Sequence, residues 1–149
     1  MPTTMLTAHF TLEEFTASQT AARMGLSNQP TGQQFDNVKR TAETMEQVRT
    51  MLGDRPILIS SGYRSPEVNR AVGGASSSAH MSGLAVDFTC PGFGDPLAIC
   101  EHLQPHMAEL RIDQLIHEFG SWVHLGLSAG DPRMMALTID GSGTRTGFA

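Results

Sequence analysis

The sequence predicts an α+β fold: a single compact domain in which helices flank a central, mainly antiparallel sheet. Its 149 residues suit one domain, and 40% of them are hydrophobic, which is enough for a buried core. Helical patterns come first along the chain, and a run of strand patterns follows later. The dipeptide Phe119-Gly120 joins two of these late strands, as in an antiparallel hairpin.

Two helices are predicted in the first third of the chain. Thr11 and Glu14 have the spacing of a capping box, which predicts a short helix at this point. Apolar residues then recur at spacings of three and four over residues 33–52, which predicts a long amphipathic helix. Residues 16–34 are polar and rich in Gly, Pro, Ser and Asn, so this segment is predicted to be mostly loop.

The remaining elements follow from short apolar runs and from helix start signals. In chain order they are a buried strand at 56–61, a helix at 66–72, a strand at 84–88, a helix from Asp95-Pro96, a hairpin of strands at 114–118 and 121–125, a last strand at 134–139 and a loose tail from about residue 140.

The bulk composition excludes several classes of protein. The formal net charge of −5 argues against nucleic acid as a partner, because nucleic-acid binding requires a basic face. No apolar run approaches ~18 residues, so no membrane span is predicted. The first residues lack the basic and apolar regions of a signal peptide, which predicts synthesis in the cytoplasm. Cys90 and Cys100 are interpreted as free buried thiols, with a single disulfide as the alternative.

Two histidines and one aspartate have the residue types of a catalytic zinc site. His80 and Asp87 are seven residues apart, and Gly83 between them allows the backbone to turn sharply before the strand that carries Asp87. His124 lies on the later hairpin. Because side chains alternate along a strand, Asp87 and His124 can point at one metal from adjacent strands. Zn²⁺ takes three such ligands and leaves a fourth position for water.

The spacing alone leaves a second interpretation of these three residues open. His80 can also be an imidazole on a surface loop, Asp87 a carboxylate at a strand end, and His124 a buried residue with a structural hydrogen bond. Histidine and aspartate are common enough that both interpretations stand at this point.

Glu118 is the candidate general base. It alternates in phase with Ile116, so it can face the same side of the hairpin as His124, where a carboxylate can take a proton from an activated water. His117 should face the opposite side, unless a bulge at the turn reverses the phase. His117 is therefore the reserve candidate, and a solvated Glu118 beside a turn is the alternative.

Arg64 is the candidate substrate anchor. It stands in a Gly-containing loop just after a predicted buried strand, and such loops often line clefts. A guanidinium can hold a carboxylate through two parallel hydrogen bonds. The alternative is an ordinary surface arginine.

Three segments together resemble the zinc D-Ala-D-Ala peptidases of the M15 type. Ser78–Asp87 matches the signature S-x-H-x-x-G-x-A-x-D in every fixed position. Ser61–Ser65 resembles the arginine motif of that family, and Trp122–His124 resembles the motif that supplies the last zinc ligand. Residues 10–15 resemble the start of small phage and prophage members.

The resemblance implies a mixed fold of the hedgehog and DD-peptidase kind, with a central antiparallel sheet. It implies Zn²⁺ held by His80, Asp87 and His124, a glutamate base, and an arginine near the substrate. We predict Ser78 and Trp122, which belong to these motifs, as substrate-binding residues beside Arg64. One departure concerns the base, because several family members place it three residues before the last histidine. Ser121 occupies that position here.

The predicted function is a zinc-dependent peptidase that hydrolyses a stem-peptide bond of peptidoglycan, either a D-Ala-D-Ala carboxypeptidase or an endolysin-type endopeptidase. The alternative is a non-catalytic cell-wall-binding or virion-associated module that retains a zinc site, and Ser121 is the residue that keeps this alternative open. The expected partner is a stem peptide or muropeptide. The chain is expected to be a monomer that acts on the cell wall after phage lysis or on muropeptides in the cytosol.

Overall fold

The computed structural model describes residues 3–149 and confirms the α+β class. Within these residues the helices are α1 (Leu12–Thr16), α2 (Gln19–Met24), α3 (Gln33–Met51), α4 (Pro66–Ala71), α5 (Pro96–Leu103) and α6 (Met107–Leu110). The strands are β1 (Leu58–Ser61), β2 (Ala85–Thr89), β3 (Gln114–Glu118), β4 (Trp122–Gly126), β5 (Met135–Asp140) and β6 (Gly143–Thr146). They form one sheet in the order β1-β2-β4-β3-β5-β6.

The chain forms two compact units. Unit 1 holds the chain up to Glu46 together with Ser61–Val86, and unit 2 holds Gln47–Ser60 together with the chain from Asp87 onward. The single-domain organisation stays a prediction. Across the described residues, no helix is both long and apolar enough to cross a membrane.

Unit 1 begins as the sequence predicts. The side chain of Thr11 accepts from the backbone N–H of Glu14, and the Glu14 carboxylate accepts from the N–H of Thr11, which completes the capping box of α1. The apolar stripe of α3 is buried, with Val38 and Ala42 fully inaccessible to solvent. This burial explains why the 3.6-residue period was readable in the sequence.

The prediction that residues 16–34 are mostly loop misses α2, which occupies Gln19–Met24. Ser18 caps the first turn of α2 by accepting from the N–H of Ala21, and Gly25 ends the helix in the left-handed conformation at φ 65°. Ala21 is the one residue of α2 that is buried. A helix that buries so little carries no apolar period, so only its caps could have indicated it.

Unit 2 contains most of the sheet, and its central hairpin is regular. The register pairs Ile116 with His124, and Glu118 with Trp122, without a bulge. The connection has three residues, 119–121, in which Phe119 and Gly120 both have positive φ, at 54° and 63°, and the N–H of Ser121 donates to the carbonyl of Glu118. The predicted hairpin is therefore confirmed.

Two details of the sheet, the burial of β1 and the order of the tail, differ from the prediction, and the parallel pairing of β3 with β5 is added to it. β1 lies at the edge of the sheet and alternates between exposed and half-buried residues, with Leu58 56% exposed, so it is not a buried strand. β3 and β5 are parallel, which makes the sheet mixed. The tail is not loose, because residues 143–146 form β6, which pairs with β5. Gly- and Thr-rich composition hid this strand, whose four residues are all exposed.

Both cysteines are free and buried, as expected. Burial is the main cause that raises the pKa of the Cys100 thiol, to about 12, so it stays protonated at neutral pH. A protonated thiol is a poor nucleophile and a poor metal ligand. Cys100 is therefore a residue of the core.

Candidate metal centre

His80 is a buried side chain in unit 1, with 2% of its surface exposed. It lies in a 3₁₀ turn, Ala79–Ser82, which Ser78 caps by accepting from the N–H of His80. The ring nitrogen Nδ1 donates to the carbonyl oxygen of Gly62 at 2.6 Å. Because a carbonyl can only accept, this bond fixes the tautomer and leaves the lone pair on Nε2, as in most metal-binding histidines. The interpretation of His80 as a surface-loop imidazole is wrong.

Gly83 ends the turn that carries His80. Its φ is +82°, and a Cβ at this position would lie 2.7 Å from the carbonyl oxygen of Gln34 on α3. The hydroxyl of Thr41 on the same helix donates to the carbonyl of Gly83 at 2.7 Å. Both the conformation and the close approach to α3 require glycine here. The path from His80 into the next strand is thereby fixed against a helix.

The carbonyl of Gly62 that receives His80 is itself held in place. A Cβ on Gly62 would lie 2.5 Å from the carbonyl oxygen of Phe15, and the next residue, Tyr63, donates its N–H to that same oxygen. Asn28 is 6% exposed, donates to the carbonyl of Tyr63 and accepts from the N–H of Ser65. The segment that orients His80 is thus fixed by residues far from it in sequence.

Asp87 and His124 meet in unit 2. Asp87 is in β2 and His124 is in β4, and both side chains are mostly buried. His124 Nδ1 lies 2.9 Å from Asp87 Oδ1. The facing register of the hairpin puts His124 on the side of Ile116, and the side chain of Glu118 points the same way.

Glu118 lies close to this pair, as its strand phase predicts. Its Oε1 atom is 3.8 Å from His124 Nδ1, and 19% of its side chain is exposed. His117 is on the opposite face, paired with Val123, and its Nδ1 atom bonds to the carbonyl of Ala149 at 2.9 Å. The pairing of β3 with β4 has no bulge, so Glu118 and not His117 faces the side of His124.

The donor set of the three predicted ligands fits Zn²⁺. One ligand atom from each of His80, Asp87 and His124 lies within 4.8 Å of the others. Two ligands on a tetrahedral zinc, each bound at 2.0–2.1 Å, are about 3.3 Å apart, which is close to the 2.9 Å between His124 and Asp87. Two imidazole nitrogens and one carboxylate oxygen also match the ligand types of catalytic zinc sites, with a further position left for water.

Arg64 and Ser78 are neighbours in unit 1. Arg64 Nη2 donates to Ser78 Oγ at 3.4 Å, and the backbone N–H of Arg64 donates to the carbonyl of His80 at 3.0 Å. The hydroxyl oxygen of Ser78 thus accepts two hydrogen bonds, one from Arg64 and one from the N–H of His80, where it caps the turn. The substrate-binding roles of both residues stay predictions.

Trp122 is half-buried on β4, beside the hairpin turn. It is the register partner of Glu118, and its ring centroid lies 5.7 Å from that of Phe119. Its indole Nε1 atom is buried and has no hydrogen-bond partner among the described residues. This placement puts Trp122 on the side of the general-base candidate, and its role in substrate binding stays a prediction.

No sequence pattern indicates the residues that orient the site. Asn28 and Gly62 bond to segments that are distant in the chain, and Thr41 shares a helix face with apolar residues. An asparagine in a polar loop carries no periodicity, so only the fold shows its task.

Comparisons with known proteins agree with this geometry. A model of the family described as Peptidase M15 matches residues 8–126. The zinc D-Ala-D-Ala carboxypeptidase of Streptomyces albus G is 43% identical over 51 residues, which cover 34% of this chain and 20% of that protein. The match thus covers about a fifth of that enzyme's length.

Proposed function

The chain belongs to the Peptidase M15 family, and we propose that it is a zinc-dependent peptidase that hydrolyses a stem-peptide bond of peptidoglycan. The observation that carries the proposal is the grouping of His80, Asp87 and His124 as one set of ligand atoms, with a carboxylate oxygen of Glu118 3.8 Å from His124. Zinc is the cofactor that the family implies. When bound, it supplies Lewis-acid activation of a water molecule and of the scissile carbonyl.

Glu118 moves the proton in this proposal. Its carboxylate accepts a proton from the attacking water and returns it to the nitrogen of the leaving amine, so that the peptide bond breaks into an acid and an amine. The position on β3 suits the task, because the adjacent strand β4 holds His124 in fixed register. Ser121 stands where several relatives have their base, but here its hydroxyl donates to the carbonyl of Phe119 in the turn.

Arg64 binds a carboxylate of the substrate. Its guanidinium is next to Ser78 Oγ, and its backbone is bonded to the carbonyl of His80, so the cation is anchored beside a metal ligand. A peptide that ends in D-Ala-D-Ala offers its terminal carboxylate to such a group. We therefore place carboxypeptidase specificity first, supported by the identity to the Streptomyces albus G enzyme. Endolysin-type cleavage of an internal stem bond is the second specificity.

Mass spectrometry of digested peptidoglycan tests the proposal. Purified peptidoglycan and a synthetic L-Ala-D-Glu-L-Lys-D-Ala-D-Ala peptide are incubated with the protein, with chelator, and with chelator followed by Zn²⁺. Loss of one terminal alanine, blocked by chelator and restored by zinc, supports the carboxypeptidase. Cleavage within the stem supports the endopeptidase. Intact substrates at full zinc loading overturn the peptidase and favour the non-catalytic binding module.

A further inference from the structure

Phe119 occupies a conformation that its side chain disfavours. Its φ of 54° lies in the left-handed region, where a bulky residue is rare. When both central residues of a hairpin turn have positive φ, the first of them is normally Asn, Asp or Gly. A strained backbone conformation persists only where other interactions offset its free-energy cost, and such residues are concentrated at binding and catalytic sites.

The hydrogen bonds of the turn do not depend on this aromatic ring. Phe119 is 52% exposed, so about half of the residue's surface stays in water. The turn is held by backbone and hydroxyl bonds: the N–H of Phe119 donates to the carbonyl of Ile139 at 2.7 Å, and Ser121 donates to the carbonyls of Glu118 and Phe119. An asparagine at position 119 would keep all of these bonds.

The ring lies beside the proposed general base. Its centroid is 5.7 Å from the Trp122 ring at an interplanar angle of 44°, and Trp122 is the register partner of Glu118. The two rings therefore form one aromatic surface at the end of the hairpin. Because Trp122 Nε1 is buried, the accessible part of this surface is carbon only.

We propose that Phe119 and Trp122 form an aromatic platform that binds the methyl group of one of the two alanines joined by the scissile bond. The proposal rests on the proposed peptidase function and names the residue that reads this part of the substrate. A surface without an exposed donor selects an apolar group, and the alanine methyls are the side chains of a stem peptide that carry no polar atom. The free energy of this contact offsets the strain at Phe119.

The test compares two substitutions that relieve the same strain. Met134 also has a positive φ, 55°, and is 49% exposed. It lies away from Glu118, because the next residue, Met135, pairs with Gln114 at the opposite end of β3. Phe119→Asn and Met134→Asn should both keep or slightly raise the melting temperature. Phe119→Asn should raise KM about fivefold with little change in kcat. Met134→Asn should leave both constants unchanged, and Phe119→Tyr should retain the KM of the wild type.

A substrate series identifies the group that is bound. The pentapeptide ending in D-Ala-D-Ala is compared with two analogues. Each analogue carries glycine in place of one of the two alanines joined by the scissile bond. The wild type should prefer alanine at one of these positions by about fourfold, as expected for one buried methyl group, and Phe119→Asn should lose this preference. An unchanged preference and KM in Phe119→Asn, or a fall in its melting temperature, would overturn the platform.

Fluorescence separates this proposal from the proposed function. Trp122 is the chain's one tryptophan, so its emission reports directly on the platform. A saturable change on peptide addition without cleavage would keep the platform and overturn the peptidase. Cleavage with identical titrations in the wild type and Phe119→Asn would do the reverse. Neither binding nor cleavage in the wild type would overturn both.

Discussion

His80 and His124 are held by two different kinds of structure. His124 is in β4, where the backbone register against β3 fixes the direction of every side chain. His80 is in a short 3₁₀ turn that has no strand pairing of its own. Its orientation depends on single bonds, above all the one from its Nδ1 atom to the carbonyl of Gly62.

The difference shows where each half of the site is vulnerable. A strand register is shared by many bonds, so a single substitution beside His124 leaves the direction of the others intact. The turn of His80 depends on individual residues that have no substitute, such as Gly83 with its φ of +82° and Asn28 with its bonds to two segments. We expect distant substitutions to disturb metal binding mainly through unit 1.

The largest effect is expected for His80→Ala. It removes one of the three donors, so most of the bound zinc and all measurable turnover should be lost. The measurement is metal content per chain after dialysis, together with peptide cleavage. Undiminished stoichiometric zinc in this variant would show that His80 is not a ligand.

Glu118→Gln should keep zinc and reduce the turnover rate by about a hundredfold or more, because the amide cannot accept the proton. His117→Ala is the matched control from the same strand. Its side chain points to the opposite face, toward Ala149, so turnover should stay near normal. Near-normal turnover in Glu118→Gln with collapse in His117→Ala would exchange the two roles.

Asn28→Ala tests the dependence of His80 on distant bonds. It removes donors to the carbonyls of Thr16 and Tyr63 and an acceptor for Ser65. The free energy of unfolding should fall by about 2 kcal/mol, and the zinc affinity should fall about tenfold, as for residues that support metal ligands. Chemical denaturation and competition with a chelating dye measure the two.

Thr138→Val is the control in unit 2. Thr138 is buried and its hydroxyl joins the backbone of Gly147 and Ala149. Its loss should cost about 1 kcal/mol of unfolding free energy and leave zinc affinity unchanged. Equal losses of zinc affinity in Asn28→Ala and Thr138→Val would remove the distinction between the two halves.

Arg64→Ala should reduce kcat/KM by about tenfold or more, since a charge-assisted bidentate contact contributes roughly 1.5–3 kcal/mol. Zinc content and melting temperature should change little, because the bond to His80 comes from the backbone of Arg64. Arg64→Lys should recover part of the loss, as an ammonium keeps the charge without the planar fork. Unfolding of Arg64→Ala would identify a structural residue instead.

The sequence was informative wherever a pattern repeats. The period of α3, the capping box at Thr11 and the alternation of β3 were all readable, and the phase of Glu118 relative to His117 followed from the last of these. The class of fold and the candidate ligands were therefore within reach of sequence reasoning.

The sequence was uninformative where a residue acts through one distant bond. α2 buries a single alanine and β6 buries nothing, so neither carries an apolar pattern. The orienting bonds from Asn28 and Gly62 join segments that only the folded chain brings together. The strained conformation of Phe119 is recognised only from its backbone angles, which the sequence does not show.

The most direct test of zinc-dependent catalysis is a titration of the metal-free protein with Zn²⁺, in which turnover of the D-Ala-D-Ala pentapeptide is measured at each step. A site formed by His80, Asp87 and His124 predicts that turnover rises linearly to one equivalent of zinc per chain and then stays constant. Glu118→Gln should take up the same one equivalent without gaining turnover. Full turnover of the wild type before any zinc is added would contradict the proposed chemistry.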